Sequence, residues 1–464
     1  MPFFRSECFV PSSIFFEFTL PNSASWFYFS LFLTVSLFFQ FSRLFTLRNL
    51  DLLALFLFVP GFLLIQEANQ FASHSPSMTG EPGHRDLPFF AAQERIAGYA
   101  WLLSASLYWF ARCLVDLATI RRPLISPNLS TPGLIWFGSA LLVCLTGVAF
   151  SRSTDPWETV GKRPVALTGV QDGATAVVTE VQAANGASTH DVQFWVARTF
   201  AMLGHVAVVV GLLLIGMKHF HDTPTGIAAG TMYLLLPYAA YHIGQVHHVW
   251  PAALILWAVF FYRRPTWAGV FLGIAAGTTF FPLLILPVWI QFYRPRGLGR
   301  FLVGFTVAWL TGLATTLFVL WLAGHFPDGM WQTLHLEDWQ PWRIPKAESI
   351  WTGVYWAYRI PVFILYVAFV LTSLLWAPVR NLGHLLALTA AMTIGVQFWF
   401  ADRGGLYVLW YAPFLVLMVL RPNLADLQPV DPGPWPKFFG RVGRWLFRRV
   451  WPFRLPRTVS MLSR

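Results

Sequence analysis

The 464-residue sequence has few charged residues, only three cysteines, and none of several common catalytic motifs. Charged side chains make up 11% of the chain and hydrophobic ones 56%, a balance that indicates a membrane protein. Cys8, Cys113 and Cys144 form neither a disulfide framework nor a CxxC metal pattern. Because Walker, Rossmann, HExxH and GxSxG motifs are missing, nucleotide hydrolysis and the common hydrolase reactions have no support.

Apolar runs of about 20 residues recur along the chain, the length that crosses roughly 30 Å of hydrocarbon. We therefore predict an all-α polytopic integral membrane protein with about 12–13 transmembrane segments. The predicted segments are 26–46, 51–68, 97–118, 132–151, 195–217, 224–241, 249–262, 267–281, 282–293, 301–323, 349–377, 384–401 and 405–420.

One predicted pair of segments is a hairpin of two short helices between residues 267 and 293. Both ends of this stretch are basic, and Pro282 and Pro287 interrupt it. Proline lacks the N–H that a helix needs and clashes with the preceding turn, so an apolar run can break at this point. One long, kinked helix is the alternative, and it would place Arg294 to Arg300 on the other side of the membrane.

The distribution of charge predicts the orientation in the membrane. Basic residues dominate alternate connections, and most carboxylates lie in the others, so the positive-inside rule puts the N-terminus outside and the C-terminus in the cytoplasm. We expect a multi-pass protein of the cytoplasmic membrane. Its predicted parts are an interfacial segment 1–25, a transmembrane domain 26–420 with outer loops 69–96, 152–194 and 324–348, and a basic-aromatic cytoplasmic tail 421–464.

Two features lie outside the predicted spans. The outer loop 152–194 contains VALTGVQDGATAVVTEV, which predicts a small β-hairpin around an Asp-Gly turn. The tail mixes arginine with tryptophan and phenylalanine, a composition typical of a segment that lies on an anionic leaflet. Because the basic residues that give the net charge of +11 sit where membrane anchors belong, we expect membrane lipids as partners and no nucleic acid.

A polar cluster interrupts the apolar sequence at His242, Gln245, His247 and His248. In a bilayer such side chains either line a wet cavity or bond to other helices, and part of the set shares one face if the helix continues that far. His205 lies within a predicted span and has the same two interpretations. Imidazole binds metals, but spacing alone supplies neither geometry nor partners, so we predict no metal or other cofactor.

The first outer loop contains a candidate general base, Asp86, preceded by His84 and Arg85. A neighbouring cation lowers the pKa of a carboxylate and leaves it a proton acceptor. The alternative is a solvated loop with an internal ion pair.

The third outer loop combines tryptophan with charged residues. Flat apolar faces beside hydrogen-bonding groups suit a sugar ring or a phosphorylated headgroup, although tryptophan also gathers at membrane interfaces. The candidate binding residues are His335, Asp338, Trp339, Trp342 and Arg343, with Asp402 and Arg403 expected at the same cavity.

Three stretches resemble a known family: IGQVH (243–247), AGVFLGIAAGTTFFPLLILPVWIQFYRPR (268–296) and GLYVLWYAPFLVLMVLRP near the C-terminus. The chain resembles membrane glycosyltransferases of the GT-C superfamily, in particular the bacterial polyprenyl-phosphate-mannose-dependent family 87. The resemblance implies a GT-C-like fold and a sugar transferred on the outer face from a lipid-phosphate donor. It departs from the family where Thr278 and Thr279 occupy the region of a usual lysine and His247 replaces a common asparagine.

On this basis we expect an inverting transfer in which Asp86 deprotonates an acceptor hydroxyl, with His84 and Arg85 binding substrate beside it. Gln245, His247 and His248 are expected to hold the reacting sugar or phosphate. Either Arg343 or Arg403 offsets phosphate charge, and either Trp339 or Trp342 stacks on the acceptor. The alternatives are a transporter or flippase for a lipid-linked or anionic solute, and a non-catalytic GT-C-like membrane scaffold.

Overall fold

The computed structural model describes residues 23–42, 44–74, 87–118, 127–151, 189–322, 339–345, 348–375, 379–431 and 433. Within these ranges the chain is helical and contains no β-strand, as predicted for an all-α polytopic membrane protein. The predicted β-hairpin lies outside the described residues.

From Thr189 to Leu322 the helices follow one another through short connections. Two single-turn 3-10 helices, Trp356–Tyr358 and Val408–Trp410, each precede a longer helix. In chain order the helices are α1 (Ser23–Phe38), α2 (Leu47–Ala54), α3 (Val59–His74), α4 (Leu87–Asp116), α5 (Thr131–Ser151), α6 (Thr189–Lys218), α7 (Thr223–Leu235), α8 (Pro237–Tyr241), α9 (Val246–Phe260), α10 (Pro265–Thr278), α11 (Phe281–Tyr293), α12 (Leu298–Leu322), α13 (Arg359–Leu375), α14 (Leu382–Trp399) and α15 (Ala412–Leu420).

Several of these helices have the length and composition of membrane spans. Recurring apolar helices satisfy their own backbone hydrogen bonds, which a bilayer core requires, so the protein is embedded in a membrane. Within the described ranges, six stretches are long and apolar enough to cross: Leu47–Gln70, Thr131–Phe150, Phe194–Lys218, Leu298–Thr315, Trp356–Leu375 and Leu382–Trp399. Three further apolar helices are shorter: Ser25–Phe38, Val246–Phe260 and Phe281–Tyr293.

Burial separates a central helix from peripheral ones. In the apolar stretch of α14 that is long enough to cross a membrane, 89% is buried within the protein. The corresponding share is 17% for α12 and for the stretch that includes α13. The peripheral helices expose large apolar side chains such as Val307 and Leu365. In water this surface would be unfavourable, but lipid tails solvate it, so these faces are the ones that contact the bilayer.

The chain breaks between α10 and α11 as the prolines predicted. Thr279 is extended, and Pro282 lies in the first turn of α11. The hydroxyl of Tyr293, at the end of α11, donates a 2.7 Å hydrogen bond to the carbonyl of Tyr262, just before α10. The second short helix therefore ends at the same end of the bundle at which the first begins. This arrangement is the predicted hairpin and not the single kinked helix.

Glycines place the first hairpin helix close against α12. A Cβ atom at Gly269 or Gly273 would meet the backbone carbonyl of Phe301 or Phe305, and one at Gly304 would meet that of Thr266. Small residues let membrane helices approach closely when no hydrophobic effect drives them together. The AGVFLGIAAG segment, which contributes to the family resemblance, thus has a packing role here.

The structure corrects three predicted span boundaries. The span predicted as 26–46 is helical only to Phe38, because the Asn49 amide donates to the carbonyls of Gln40 and Leu44 and holds a turn there. The span predicted from 349 begins at α13, after a turn that contains Gly353 with φ +76°. The span predicted from 405 begins with a 3-10 turn after Gly405, where φ is +101°.

Polar side chains concentrate at the two ends of the helical bundle. We call the end that contains Asp51, Arg112, Asp116 and Arg421 the arginine end. Arg112 makes two 2.7 Å hydrogen bonds to the carboxylate of Asp51, and Arg421 makes one of 2.6 Å to Asp116. All four side chains are nearly buried, and their alternating charges cancel. The opposite end, which contains His242 and His248, is called the histidine end.

Candidate functional site

The polar cluster lies in a turn that joins α8 to α9. Pro237 starts the short helix α8, which ends at Tyr241, and α9 begins after Gln245. The helix therefore does not continue through His242 and Gln245, and a single helical face does not bring the cluster together. Instead, the turn does so: Nδ1 of His242 donates a 2.8 Å hydrogen bond to Oε1 of Gln245.

Five aromatic rings form a continuous stack from this turn to the tip of the hairpin. The rings of His242 and His248 lie 3.9 Å apart at an interplanar angle of 12°. His248 stacks on Tyr407 at 5.0 Å, and Tyr407 stacks on Trp410 at 4.2 Å. Trp410 then stacks on Phe281 at 4.2 Å. The stack fixes the two histidines against the 401–411 segment and the first turn of α11.

His247 is held beside this stack by its backbone and its ring. Its carbonyl accepts a 3.0 Å hydrogen bond from Nε1 of Trp410, and its ring centroid lies 4.4 Å from that of His248. His247 and Gln245 are half-buried, whereas His242 and His248 are each only 3% exposed. The predicted residues Gln245, His247 and His248 therefore share one site.

Arg403 is a cation whose charge acts on both buried histidines. Its φ is +55°, a left-handed conformation that non-glycine residues adopt rarely and often at functional sites. Its backbone N–H donates to the carbonyl of Glu348 at 3.1 Å. Within the described ranges, its guanidinium makes no ion pair. Burial lowers the pKa of His242 to about 4, and the charge of Arg403 lowers it as well.

The neighbouring cation, Arg343, is neutralised by a carboxylate. Arg343 and Asp402 form an ion pair of 3.1 Å with side chains that are 9% and 14% exposed. The loop that carries Arg343 is held by Arg359, a residue that the sequence patterns did not single out. Its guanidinium donates to the carbonyls of Gln340, Pro341 and Arg343. Arg343 and Arg403 were the two arginines expected to offset phosphate charge. Because Asp402 pairs with Arg343, it is the charge of Arg403 that Asp402 does not balance.

The two candidate tryptophans differ in their surroundings. Trp339 packs on Phe280 at 4.7 Å, on Phe400 at 5.0 Å and on Trp399 at 5.6 Å. Trp342 is 57% exposed. Trp339 thus helps to build the histidine end, and Trp342 has a face accessible to a ligand.

A second ion pair connects the helix α4 to this end. Arg95 pairs with Glu348 and donates a 3.2 Å hydrogen bond to Oδ1 of Asn69. The adjacent Glu94 is a carboxylate without an ion pair in the described part of the chain. Burial and, to a lesser degree, the carboxylate of Glu67 raise the pKa of Glu94. Among the residues that the structure describes, Glu94 is therefore a carboxylate suited to holding a proton near the site.

Several predicted residues lie outside the described ranges. The base Asp86, with His84 and Arg85, falls in 75–86, and His335 and Asp338 fall in 323–338. Their roles stay predictions.

The two threonines at the position of the family lysine have a local structural role. The hydroxyls of Thr278 and Thr279 both donate to the carbonyl of Ala275, at 2.8 and 3.3 Å. The same carbonyl also accepts the backbone N–H of Thr279, so the two hydroxyls add side-chain donors at the end of α10.

The structure adds Arg198 to the site, and it explains His205. Arg198 is 2% exposed, and its guanidinium occupies the space that a side chain at position 244 would fill. In the sequence, the feature that could have identified Arg198 is that an arginine lies within the apolar run VARTFAML. His205 is fully buried, and its Nδ1 lies 2.9 Å from the hydroxyl of Tyr233 on α7. Of its two interpretations, bonding to a neighbouring helix is the one seen.

Across the described residues, no group of three histidine, cysteine, aspartate or glutamate side chains is placed to hold a metal ion. Comparisons with family models, with curated proteins and with solved structures found no match to this chain. The resemblance to the GT-C superfamily therefore stays a prediction.

Proposed function

We propose that this protein is a membrane glycosyltransferase that transfers a sugar from a polyprenyl-phosphate donor to an acceptor on the outer face of the cytoplasmic membrane. The observation that carries the proposal is that Arg403, two buried histidines and an exposed tryptophan occupy one end of an apolar helical bundle. An arginine without an ion pair in the described residues attracts an anion, and aromatic faces suit sugars. The lipid-facing helices give a polyprenyl chain access from the bilayer.

In the proposed reaction, the acceptor oxygen attacks the anomeric carbon while the bond from that carbon to the phosphate oxygen breaks. The lipid phosphate leaves with the bonding electrons, and Arg403 offsets its charge. Asp86 takes the proton of the acceptor hydroxyl. Gln245 and the histidines position the sugar, and Trp342 stacks on the acceptor. Inversion at the anomeric carbon follows from a single displacement.

We further propose a GT-C-like arrangement of about 12–13 spans with the histidine end outside and the arginine end in the cytoplasm. The basic connections support this orientation: Arg263, Arg264 and Arg294 lie at the same end as Arg421, opposite to the two histidines. On this arrangement, the donor is used from the outer leaflet.

The proposal is tested by reconstituting the full chain in liposomes with polyprenyl-phosphate mannose that carries a radiolabel in the sugar. We expect release of the label to an added acceptor, about 100-fold slower for Asp86→Asn because the general base is lost. Arg403→Gln is expected to lose activity, whereas Arg380→Gln, which removes an exposed arginine next to α14, is the matched control. Unchanged activity of Asp86→Asn would show that Asp86 is not the general base. Glu94→Gln then tests Glu94 as the general base instead.

A transporter or flippase is the second candidate, and one observation favours it. The His205–Tyr233 pair is an ionisable group fully buried within a spanning helix, as in many transport pathways. This function predicts movement of the labelled lipid between leaflets, lost in His205→Phe, without release of the sugar. If the protein neither transfers nor moves the lipid, both candidates fail, and a scaffold role becomes the working hypothesis.

A further inference from the structure

His242 and His248 form a stacked pair at the histidine end. Each side chain is 3% exposed, and the parallel rings are 3.9 Å apart. Among the described residues, Nδ1 of His248 is buried and has no hydrogen-bond partner. Buried polar atoms almost always have a partner, so an orphaned nitrogen in a polar site indicates a place that a ligand or water completes.

Titratable and charged groups reach the pair from each element packed against it. Within the turn, Tyr241 contacts His242 and Gln245 accepts its hydrogen bond. From α9, the ring of His247 lies 4.4 Å from that of His248. From α6, the guanidinium of Arg198 lies against Gly244 in the same turn, and His205 is a titratable group that the charge of His242 affects. From the 401–411 segment, Tyr407 stacks on His248, and Arg403 brings a positive charge.

These surroundings oppose protonation of the pair when no ligand is bound. An imidazolium here would be desolvated and would face both a second imidazole and the guanidinium of Arg403. The pKa of His242 is accordingly lowered to about 4. A bound anion reverses the balance, because it neutralises Arg403 and gives a charged ring an acceptor for its N–H.

We propose that the His242–His248 pair takes up a proton when a phosphodiester anion binds beside Arg403, so that ligand binding and protonation are coupled at this site. The inference rests on the proposed function in one respect, the assignment of a phosphate-bearing ligand to the histidine end. The proton comes from solvent and returns to it when the ligand leaves, so no other reactant is needed.

Thermodynamic linkage between protonation and ligand binding gives the direction in which pH changes the affinity. If the anion raises the pKa of the pair, affinity must increase as the pH falls, by at most about tenfold per pH unit for one proton. A phosphodiester is the right probe because its own charge is constant between about pH 5 and 8, whereas the second ionisation of a monoester, with a pKa near 6, would obscure the effect.

The first experiment uses the unmodified full chain in detergent or nanodiscs. Affinity for farnesyl methyl phosphate is measured at about pH 7.5 and at about pH 5.5, and proton uptake is measured by titration calorimetry in buffers of different ionisation enthalpy. Dimethyl phosphate replaces the lipid in a parallel arm. Binding of both probes would identify a site for free phosphate, and binding of the farnesyl probe alone would identify a lipid headgroup site.

Substitutions then assign the proton. We expect His248→Gln and His242→Gln each to reduce the pH dependence, measured for each variant as the ratio of its affinities at about pH 5.5 and about pH 7.5. Arg403→Gln is expected to weaken binding at both pH values. His219→Gln is the matched control, because His219 is also a buried histidine but lies at the arginine end.

Two results would overturn the inference: an affinity of the unmodified protein that is independent of pH with no proton uptake, or a pH dependence that survives both histidine substitutions. Failure of any probe to bind would also overturn it. The transferase proposal is tested by a different result, the release of the sugar. Proton-linked binding without sugar release refutes the transferase and keeps this inference, whereas sugar release without proton linkage does the reverse.

Discussion

The α-carbon of Gly269 lies against the backbone carbonyl of Phe301, so closely that a Cβ atom has no room between α10 and α12. The neighbour is backbone and cannot rotate away, so a methyl group must push the two helices apart. The segment that begins with Ala268 is therefore shaped by helix packing.

We predict that Gly269→Ala destabilises the protein by about 1–3 kcal/mol, the usual cost of overpacking. Thermal unfolding in detergent should show a lower midpoint. Gly277→Ala is the matched control in the same helix, because its Cβ would meet only the α-carbon of Gly312 at an ordinary 3.7 Å. Equal midpoints for the two variants would mean that the close approach of α10 and α12 is not present in solution.

Arg359 offers a test of how the binding loop is positioned. Its guanidinium holds three carbonyls of residues 340–343, and a lysine cannot reproduce this planar set of donors. We expect Arg359→Lys to speed limited proteolysis within residues 340–345 and to lower transferase activity about tenfold, since misplaced groups lose rate. Arg380→Lys, the exposed control, should change neither. Undiminished protection of the loop in Arg359→Lys would remove the positioning role.

The buried network at the arginine end predicts a large stability loss on breaking one pair. Asp51→Ala leaves the Arg112 guanidinium buried without its two hydrogen bonds to Asp51, so we expect a loss of about 3–5 kcal/mol. The double variant Asp51→Ala with Arg112→Met should recover part of this loss, because it also removes the guanidinium that Asp51→Ala leaves without its partner. Asp426→Ala removes an exposed carboxylate from the same end and serves as the control. Strictly additive effects in the double variant would exclude the interaction.

His219 predicts that stability depends on pH. Burial lowers the pKa of His219 to about 4, whereas an unfolded histidine titrates near its ordinary value of 6.5. Below that value the unfolded chain binds a proton that the folded protein does not, so stability is lost as the pH falls from about 6.5 to about 4. His219→Gln keeps a donor to the carbonyl of Phe260 and should show a shallower decline of the unfolding midpoint. Identical slopes in the two proteins would contradict the assignment.

Much of the architecture could be predicted because lipid imposes strict rules on a sequence. Apolar length, basic connections and two prolines were enough to predict an all-helical membrane protein with a broken hairpin, since a bilayer leaves backbone few ways to satisfy its hydrogen bonds. The ends of helices were less predictable, because side chains such as Asn49 and turns at Gly353 and Gly405 end helices by contacts that hydropathy does not record.

Only the tertiary structure decided how the polar residues meet. The sequence alone identified Gln245, His248 and Arg403 as candidates, but Arg403 comes from a different segment from the other two, and no periodicity relates residue 248 to residue 407. The structure separated Arg403 from Arg343, which is paired with Asp402, and it revealed Arg359 and the Asp51–Arg112 pair. Such choices depend on distances across the bundle, because charge and stacking energies fall off over a few ångströms, whereas apolar length is a property of each segment alone.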